Sequence, residues 1–349
     1  MHMKNLFIKL SIYVYFLFIA LSFLPSDLFS DVESIDPLDK RLKINLIGVR
    51  NGKGLETDLE ILKEILEQMG CSVTLVDLEE TKWSHAHVNI FLQTLAPEKF
   101  FWAHQNWLIP NPEWYTQETH LLDAIDLILC RTKETERIFR QLNKRTYYLG
   151  FTSPDCYREE IKKDYLHFLH LAGGSRLKGT KVIQRIWHSQ ASFPFLTIID
   201  FLNPCTSHSP NLQCIPYRIP ELDLRQLQNQ CGIHLCPSKT EGFGHYMMEA
   251  MSAGAVVITT DAPPMNEFIK DPRCLVRYVK KTPLYLATTY EVDHIELQRK
   301  IDYLISLPPE ELRAIGLNNR AVYLQTQQEF YERLEELLWI TSFAFENKN

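Results

Sequence analysis

The chain has 349 residues, 45% of them hydrophobic, and 37 Lys and Arg against 43 Asp and Glu give a formal net charge of −6. That length can bury two cores. The charge balance, with no long basic run interleaved with aromatics, excludes nucleic acid as an expected partner, so an anionic ligand has to be held by local groups. Eight cysteines without a CxxC pair, and no His/Cys cluster at zinc spacing, point to buried free thiols in a reducing compartment and to no metal site.

In chain order, residues 10–24 are apolar, and extended back to Leu6 the run carries one charge, Lys9. A bilayer-spanning helix takes about 20 such residues. Lys4 and Lys9 precede the run and no A-x-A-like cleavage site follows. Residues 1–30 are read as a membrane anchor or uncleaved signal segment, contacting the membrane through 6–24, with a cleaved signal as the alternative. Lys40, Arg41 and Lys43 follow it, so charge does not choose an orientation. Residues 31–41 read as a tether.

A first α/β unit is expected over 42–158. Residues 43–49 (KINLIGV) read as a strand, 50–54 as a glycine-containing loop, and 55–69 as a helix closed by Gly70. Strands are predicted at 72–76, 87–92, 100–103 and 127–130, and a polar helix at 133–142. The run 106–114, rich in aromatics and prolines, reads as a cleft-lining loop or as packing. A second unit is expected over 159–320, with strands at 166–172, 194–200, 233–236 and 255–260 and helices at 182–188, 222–229 and 243–253. A long amphipathic helix spans 309–338. Strands and helices alternating at these lengths imply parallel sheets with helices on both faces.

The chemistry concentrates in residues 233–267 (IHLCPSKTEGFGHYMMEAMSAGAVVITTDAPPMNE). A buried strand runs into a polar turn, with Glu241 and then Gly242-Phe243-Gly244, and a helix follows. Glycines let backbone approach a ligand, and the first N–H groups of a helix have no intrahelical partner. Phosphate or sugar oxygens can take those donors. Glu249 lies eight residues after Glu241, about one and a half turns into the helix. A carboxylate there can accept both hydroxyls of a vicinal diol. A second segment, 170–180 (HLAGGSRLKGT), runs a strand into a glycine turn with two cations, a candidate diphosphate clamp or a solvated basic turn. Between them, Tyr217 and Arg218 sit in a loop that can stack on a base or simply face solvent.

Glu241-Gly242-Phe243-Gly244 through Glu249-Ala250-Met251-Ser252-Ala253-Gly254 resembles the E-x7-E donor-site signature of GT-B retaining glycosyltransferases of the family four (group 1) type. The resemblance covers residues 166–338 well and 42–160 diffusely. It implies two facing Rossmann-like domains with parallel sheets, a nucleotide-diphosphate sugar as co-substrate and no cofactor. It implies that Glu241 contacts the donor sugar, that the amides of Gly242, Phe243, Gly244 and His245 bind sugar and phosphate, and that Glu249 binds ribose. Gly173, Gly174, Arg176 and Lys178 resemble the family's donor-phosphate segment; Lys178-Gly179 matches, whereas Arg176 is closer to the lysine than the family's arginine, whose place Gly173 takes. The loop Gly52-Lys53-Gly54 occupies the place of the family's N-domain loop and is neither a dinucleotide fingerprint nor a P-loop. His104 is the candidate for a family histidine that ends an N-domain strand. Residues 321–349 resemble the family's helix crossing back to the first domain.

The expected function is hexosyl transfer with retention to an acceptor hydroxyl of a glycan or glycolipid, with Glu241, Lys178 and His104 as candidate catalytic groups. A non-catalytic nucleotide-sugar-binding protein and a same-fold epimerase or phosphorylase are the alternatives. A membrane-associated protein with cytoplasmic catalytic domains is expected, or a lumenal Golgi-type arrangement if the source is eukaryotic.

Overall fold

The computed structural model describes residues 41–49, 54–82, 85–202, 205 and 209–346. The anchor and tether, and Gly52 and Lys53, lie outside them. Two six-stranded sheets, every pairing parallel, lie in one compact unit that starts at Leu42.

The first sheet has the order β2-β1-β3-β4-β5-β6, built from β1 (Lys43–Gly48), β2 (Ser72–Asp77), β3 (Ala86–Leu92), β4 (Ala103–Ile109), β5 (Leu127–Cys130) and β6 (Thr146–Tyr148). Helix α1 (Gly54–Gln68) buries Leu59, Leu62, Ile65 and Leu66 on one face, at i, i+3, i+6 and i+7, a stripe of helical period that its sequence carries. Gly70 follows at φ +85°, as a helix terminator requires. Helix α2 (Lys133–Gln141) is capped by Thr132, whose hydroxyl accepts from Thr135 N. The 100–103 strand is corrected. Pro97–Trp102 is a 3-10 helix, started by proline at its first position, and β4 begins only at Ala103. The 106–114 run is correspondingly half strand, followed by a short 3-10 turn, Pro112–Trp114.

The second sheet has the order β12-β11-β10-β7-β8-β9, from β7 (Asp164–Gly173), β8 (Phe195–Asp200), β9 (Leu212–Ile215), β10 (Cys231–Cys236), β11 (Val256–Thr260) and β12 (Leu275–Val276). In chain order within that half, this is the doubly wound 3-2-1-4-5-6 arrangement. Strands β10 and β11 are buried at every position, as central parallel strands covered on both faces must be. Each apolar side chain there contributes roughly 1.5–3 kcal/mol. Helices α3 (Thr180–Ser189), α4 (Glu221–Gln230) and α5 (His245–Ser252) connect the strands, and α6 (His294–Ile305) follows the last strand of the chain. An antiparallel hairpin, β13 (Tyr278–Leu284) and β14 (Ala287–Val292), stands outside both sheets and has no counterpart among the expected elements.

Helix α7 (Pro309–Glu346) packs on both halves. A Cβ on Gly316 would run into the carbonyl of Gly254, and Asn319 Nδ2 donates to Ala255 O at 2.9 Å, so its first turns lie against the second half. Further on, Tyr147 OH donates to Arg333 O at 3.0 Å, and the Phe345 ring lies 5.1 Å from that of His87 in the first half.

Six described cysteines are free and buried, as expected, but Cys205 and Cys214 are bonded to each other, which corrects the reading of all eight as thiols. The two are nine residues apart on the way into β9, a proximity their spacing does not announce. Among the described residues, no helix is long and apolar enough to cross a membrane, and no group of three or more His, Cys, Asp or Glu is arranged to hold a metal ion.

Candidate functional site

In a doubly wound sheet, the crevice opens outside the carboxyl ends of the two strands where the order reverses. Here those strands are β7 and β10, which pair directly. Strand β7 runs into the turn 173–179 and β10 into the turn 237–244, so the two motifs read from the sequence meet at that point. Lys239 N donates to Leu177 O at 2.7 Å and binds the turns together. Gly179, at φ +77°, has its Cα against the Pro237 carbonyl, where any Cβ would collide. Thr260 Oγ1 donates to Ser238 O at 2.6 Å and fixes the second turn from β11.

Within this frame Lys178 Nζ lies 2.6 Å from Glu241 Oε1, with only 16% and 10% of the two side chains exposed. The Ser238 hydroxyl donates to the same carboxylate oxygen, and Tyr246 OH lies 2.5 Å from Ser238 Oγ. Burial holds the Tyr246 phenol well above its usual range, so it stays a donor. The Lys178 ammonium also sits 4.1 Å from the centre of the Tyr246 ring. The carboxylate of Glu241 is thus oriented by three groups at the mouth of helix α5. That helix begins at His245 rather than at residue 243, because Gly244 takes φ +100° as its N-cap.

The opposite wall comes from the first half, by residues that the motifs did not reveal. Gly242 presses on Asn111 and Arg131; an added Cβ would overlap both side chains. Arg131 follows β5 and is 3% exposed, and its Nη1 donates to Asp58 Oδ2 at 2.7 Å. Its other terminal nitrogen donates to Asn111 Oδ1. Asp58 Oδ1 in turn lies 2.6 Å from His245 Nε2, whose Nδ1 is 2.8 Å from Ser153 Oγ. Burial alone pushes the Asp58 carboxyl up, but the charges of Arg131 and His245 outweigh it and hold it below the usual range. Close in sequence to Asn111, Glu113 is buried, and its carboxyl is pushed up to about 7 by burial first, against a backbone hydrogen bond, with the charge of Glu241 also raising it and those of Arg131 and Lys178 lowering it.

Two further contacts tie the walls. Glu267 accepts from Lys133 N at 2.7 Å and Glu134 N at 2.8 Å, so a carboxylate of the second half caps helix α2 of the first. At the β13–β14 hairpin, Leu286 N donates to Pro112 O at 3.2 Å. Ala287 and Thr288 line a narrow crevice together with Pro112, Thr240 and Glu241.

The expected site residues divide accordingly. Lys178, Glu241, Gly242, Phe243, Gly244 and His245 are brought together. Gly173 ends β7 at φ +55°, and its carbonyl accepts from Phe201 N at 2.8 Å. Gly174, Arg176, Tyr217 and Arg218 are exposed. Glu249 turns toward helix α4, where its Oε2 accepts from Gln228 Nε2 at 2.6 Å and lies 3.7 Å from Arg225. Gly54 is the first residue of α1. The placement of His104 is corrected. It is the second residue of β4, at the amino end of the sheet, and its ring neighbours are His85, His87 and Phe345. The crevice lies at the carboxyl ends, so His104 stands at the wrong edge to act there. The sequence carries a partial signal for these residues, since 106–114 reads as a cleft-lining loop or as packing, but nothing local singles out Asp58 or Arg131.

The fold and the glycine-turn site define a GT-B α/β protein. The sucrose-phosphate synthase from Thermosynechococcus elongatus is similar in structure, at 13% identity and a TM-score of 0.67, covering 87% of this chain and 100% of that one. A glycosyltransferase from Rickettsia africae aligns at 12% identity and TM-score 0.63, covering 86% and 98%. An E. coli structure described as trehalose-6-phosphate bound with UDP-2-fluoro glucose aligns at 8% and 0.62, covering 86% and 99%. By sequence, residues 209–322 match the family model described as glycosyl transferases group 1, a span that includes the whole of Glu241–Gly254. No curated protein sequence matches the chain.

Proposed function

We infer that the protein transfers a sugar from a nucleotide-diphosphate sugar to an acceptor hydroxyl, with retention at the anomeric carbon, and that the transferred unit is a hexose. The observation that carries this reading is the buried Lys178–Glu241 pair at 2.6 Å, set beside the glycine turn at the sheet's switch point. A sugar lying over Glu241 places its diphosphate toward Lys178 and the first N–H groups of α5, which stabilise the charge that develops as the diphosphate departs. Rate then comes from positioning and electrostatics. The opposing wall of Asp58, Asn111 and Arg131 closes the cleft against water. A glycan or glycolipid acceptor suits a chain attached to a membrane through residues 6–24, with its catalytic half in the cytoplasm.

The test is nucleotide release by the full chain from a panel of UDP-, GDP- and ADP-sugars, with Glu241→Ala and Lys178→Ala alongside. Slow release of one nucleoside diphosphate, reduced at least ~100-fold in both variants, is expected. Binding of a nucleotide sugar without any release supports a binding protein instead.

A further inference from the structure

Glu113 is a buried acid among the described residues near the cleft that the proposed chemistry does not yet use. Its residue is 5% exposed, and Oε2 is fully buried with no hydrogen-bond partner among the described residues. Leaving such an oxygen unpaired is costly, and structures keep the arrangement where a ligand completes it. The position is built rather than accidental. Pro112 starts the 3-10 turn, and the hairpin residue Leu286 fastens the turn through the Pro112 carbonyl. Pro112 and Glu241 line the same crevice, and Asn111 touches Gly242. The charges of Glu241 and Lys178 from the second half and of Arg131 from the first act on the carboxyl, with Asp58 and His245 behind Arg131.

Resting on the transferase reading, we propose that Glu113 is the carboxyl that takes a sugar hydroxyl at the reaction centre, opposite Glu241. One oxygen of a carboxylate beside a second carboxylate and two cations is suited to a neutral, hydroxyl-bearing ligand rather than to another anion. The hydroxyl belongs either to the transferred sugar or to the attacking acceptor. In the second case Glu113 is a catalytic residue. The acceptor's O–H proton passes to Oε2 as its oxygen bonds to the anomeric carbon. The bond from that carbon to the diphosphate breaks with its electron pair leaving on the diphosphate, and the proton is later lost to solvent.

The experiment uses the full chain and Glu113→Gln, which keeps the shape and removes the charge. Calorimetry measures binding of the nucleoside diphosphate and of its glucose ester, and nucleotide release is followed from pH 5.5 to 8.5 with water as the acceptor. A roughly ten-fold weaker sugar ester with unchanged diphosphate binding assigns the contact to the transferred sugar. Unchanged affinities with at least a ten-fold slower release, and loss of the acid limb expected of the wild type near pH 7, assign it to the attacking hydroxyl. Both affinities and the whole pH profile unchanged overturn the proposal while leaving the transferase reading intact. Failure of the wild type to bind any nucleotide overturns both. The thermal midpoint of Glu113→Gln at pH 8 is expected at or above that of the wild type, since an amide is cheaper to bury than a carboxylate. A fall by many degrees would reassign Glu113 to a structural role.

Discussion

The C-terminal wall of the cleft draws its polar groups from two neighbouring turns, 173–179 and 237–244, whereas the N-terminal wall gathers Asp58, Asn111, Glu113 and Arg131 from three different connections of its sheet. On the first wall, glycine geometry and strand ends set the two turns, and the Lys178–Glu241 pair joins them. On the second, the residues are held by contacts between distant segments: Asp58 and Arg131 are 73 positions apart in sequence, and Asp58 and His245, on the facing wall, are 187 apart. One wall is a motif and the other is a network. A motif survives in sequence as a pattern; a network exists only once the chain has folded.

The strongest way to break this comparison is at the point where the walls touch. Gly242→Ala puts a methyl into Asn111 and Arg131, so the cleft has to open. Overpacking of this kind costs about 1–3 kcal/mol, and the displaced turn is expected to slow nucleotide release by roughly 100-fold. Wild-type release by Gly242→Ala would mean that the walls are separate during turnover.

Asp58→Asn tests the network itself. It leaves the buried Arg131 guanidinium without its carboxylate, and removing one partner of such a pair costs about 3 kcal/mol. Urea unfolding should show that loss, together with weaker donor binding. An unchanged midpoint would show that the charges on this wall are dispensable.

The strands behind the two walls differ as well. The first sheet buries a chain of uncharged amides, Asn45 Nδ2 to Asn89 Oδ1 at 3.0 Å and Asn89 Nδ2 to Asn106 Oδ1 at 2.9 Å. The second buries His170 and His234, whose pKa values burial pushes down to about 4 and about 3. Unfolded, both histidines take a proton near 6.5; folded, they refuse it until well below that. Stability is therefore full above pH 6.5 and falls as the pH drops toward 4, by roughly 1.4 kcal/mol per pH unit for each histidine. Thermal melts at pH 7 and pH 5, with near-UV dichroism reading tertiary packing, should show a clear loss at pH 5, and His234→Gln should reduce the dependence.

The smallest effect is expected at Gly54. Nothing lies within 4 Å of a Cβ built there, so Gly54→Ala should leave release unchanged and change stability by only about 0.5 kcal/mol. A large loss of activity would place the start of α1 much closer to the reaction than the contacts around Gly242 suggest.

The limits of reading the sequence follow the same division. Parallel strands β10 and β11 were legible because they are short apolar runs bounded by turn residues, and the E-x7-E segment because its glycines and acids have a fixed spacing. The hairpin β13–β14 was missed, since it is mostly exposed and its residues lack strong alternation. His104 was set at the wrong end of its strand because Pro97–Trp102, apolar enough for a strand, folds as a 3-10 helix and delays β4.

By itself the sequence determined the alternation of strands and helices and the two glycine turns. These depend on contacts between near neighbours and on conformations that only glycine takes readily. Tertiary structure alone decided that Lys178 pairs with Glu241, that Gly242 meets Asn111, that Arg131 joins Asp58, and that Glu113 is buried with one oxygen unpaired. Burial and charge at those positions are properties of the packed walls, and no stretch of the chain carries them before the walls come together.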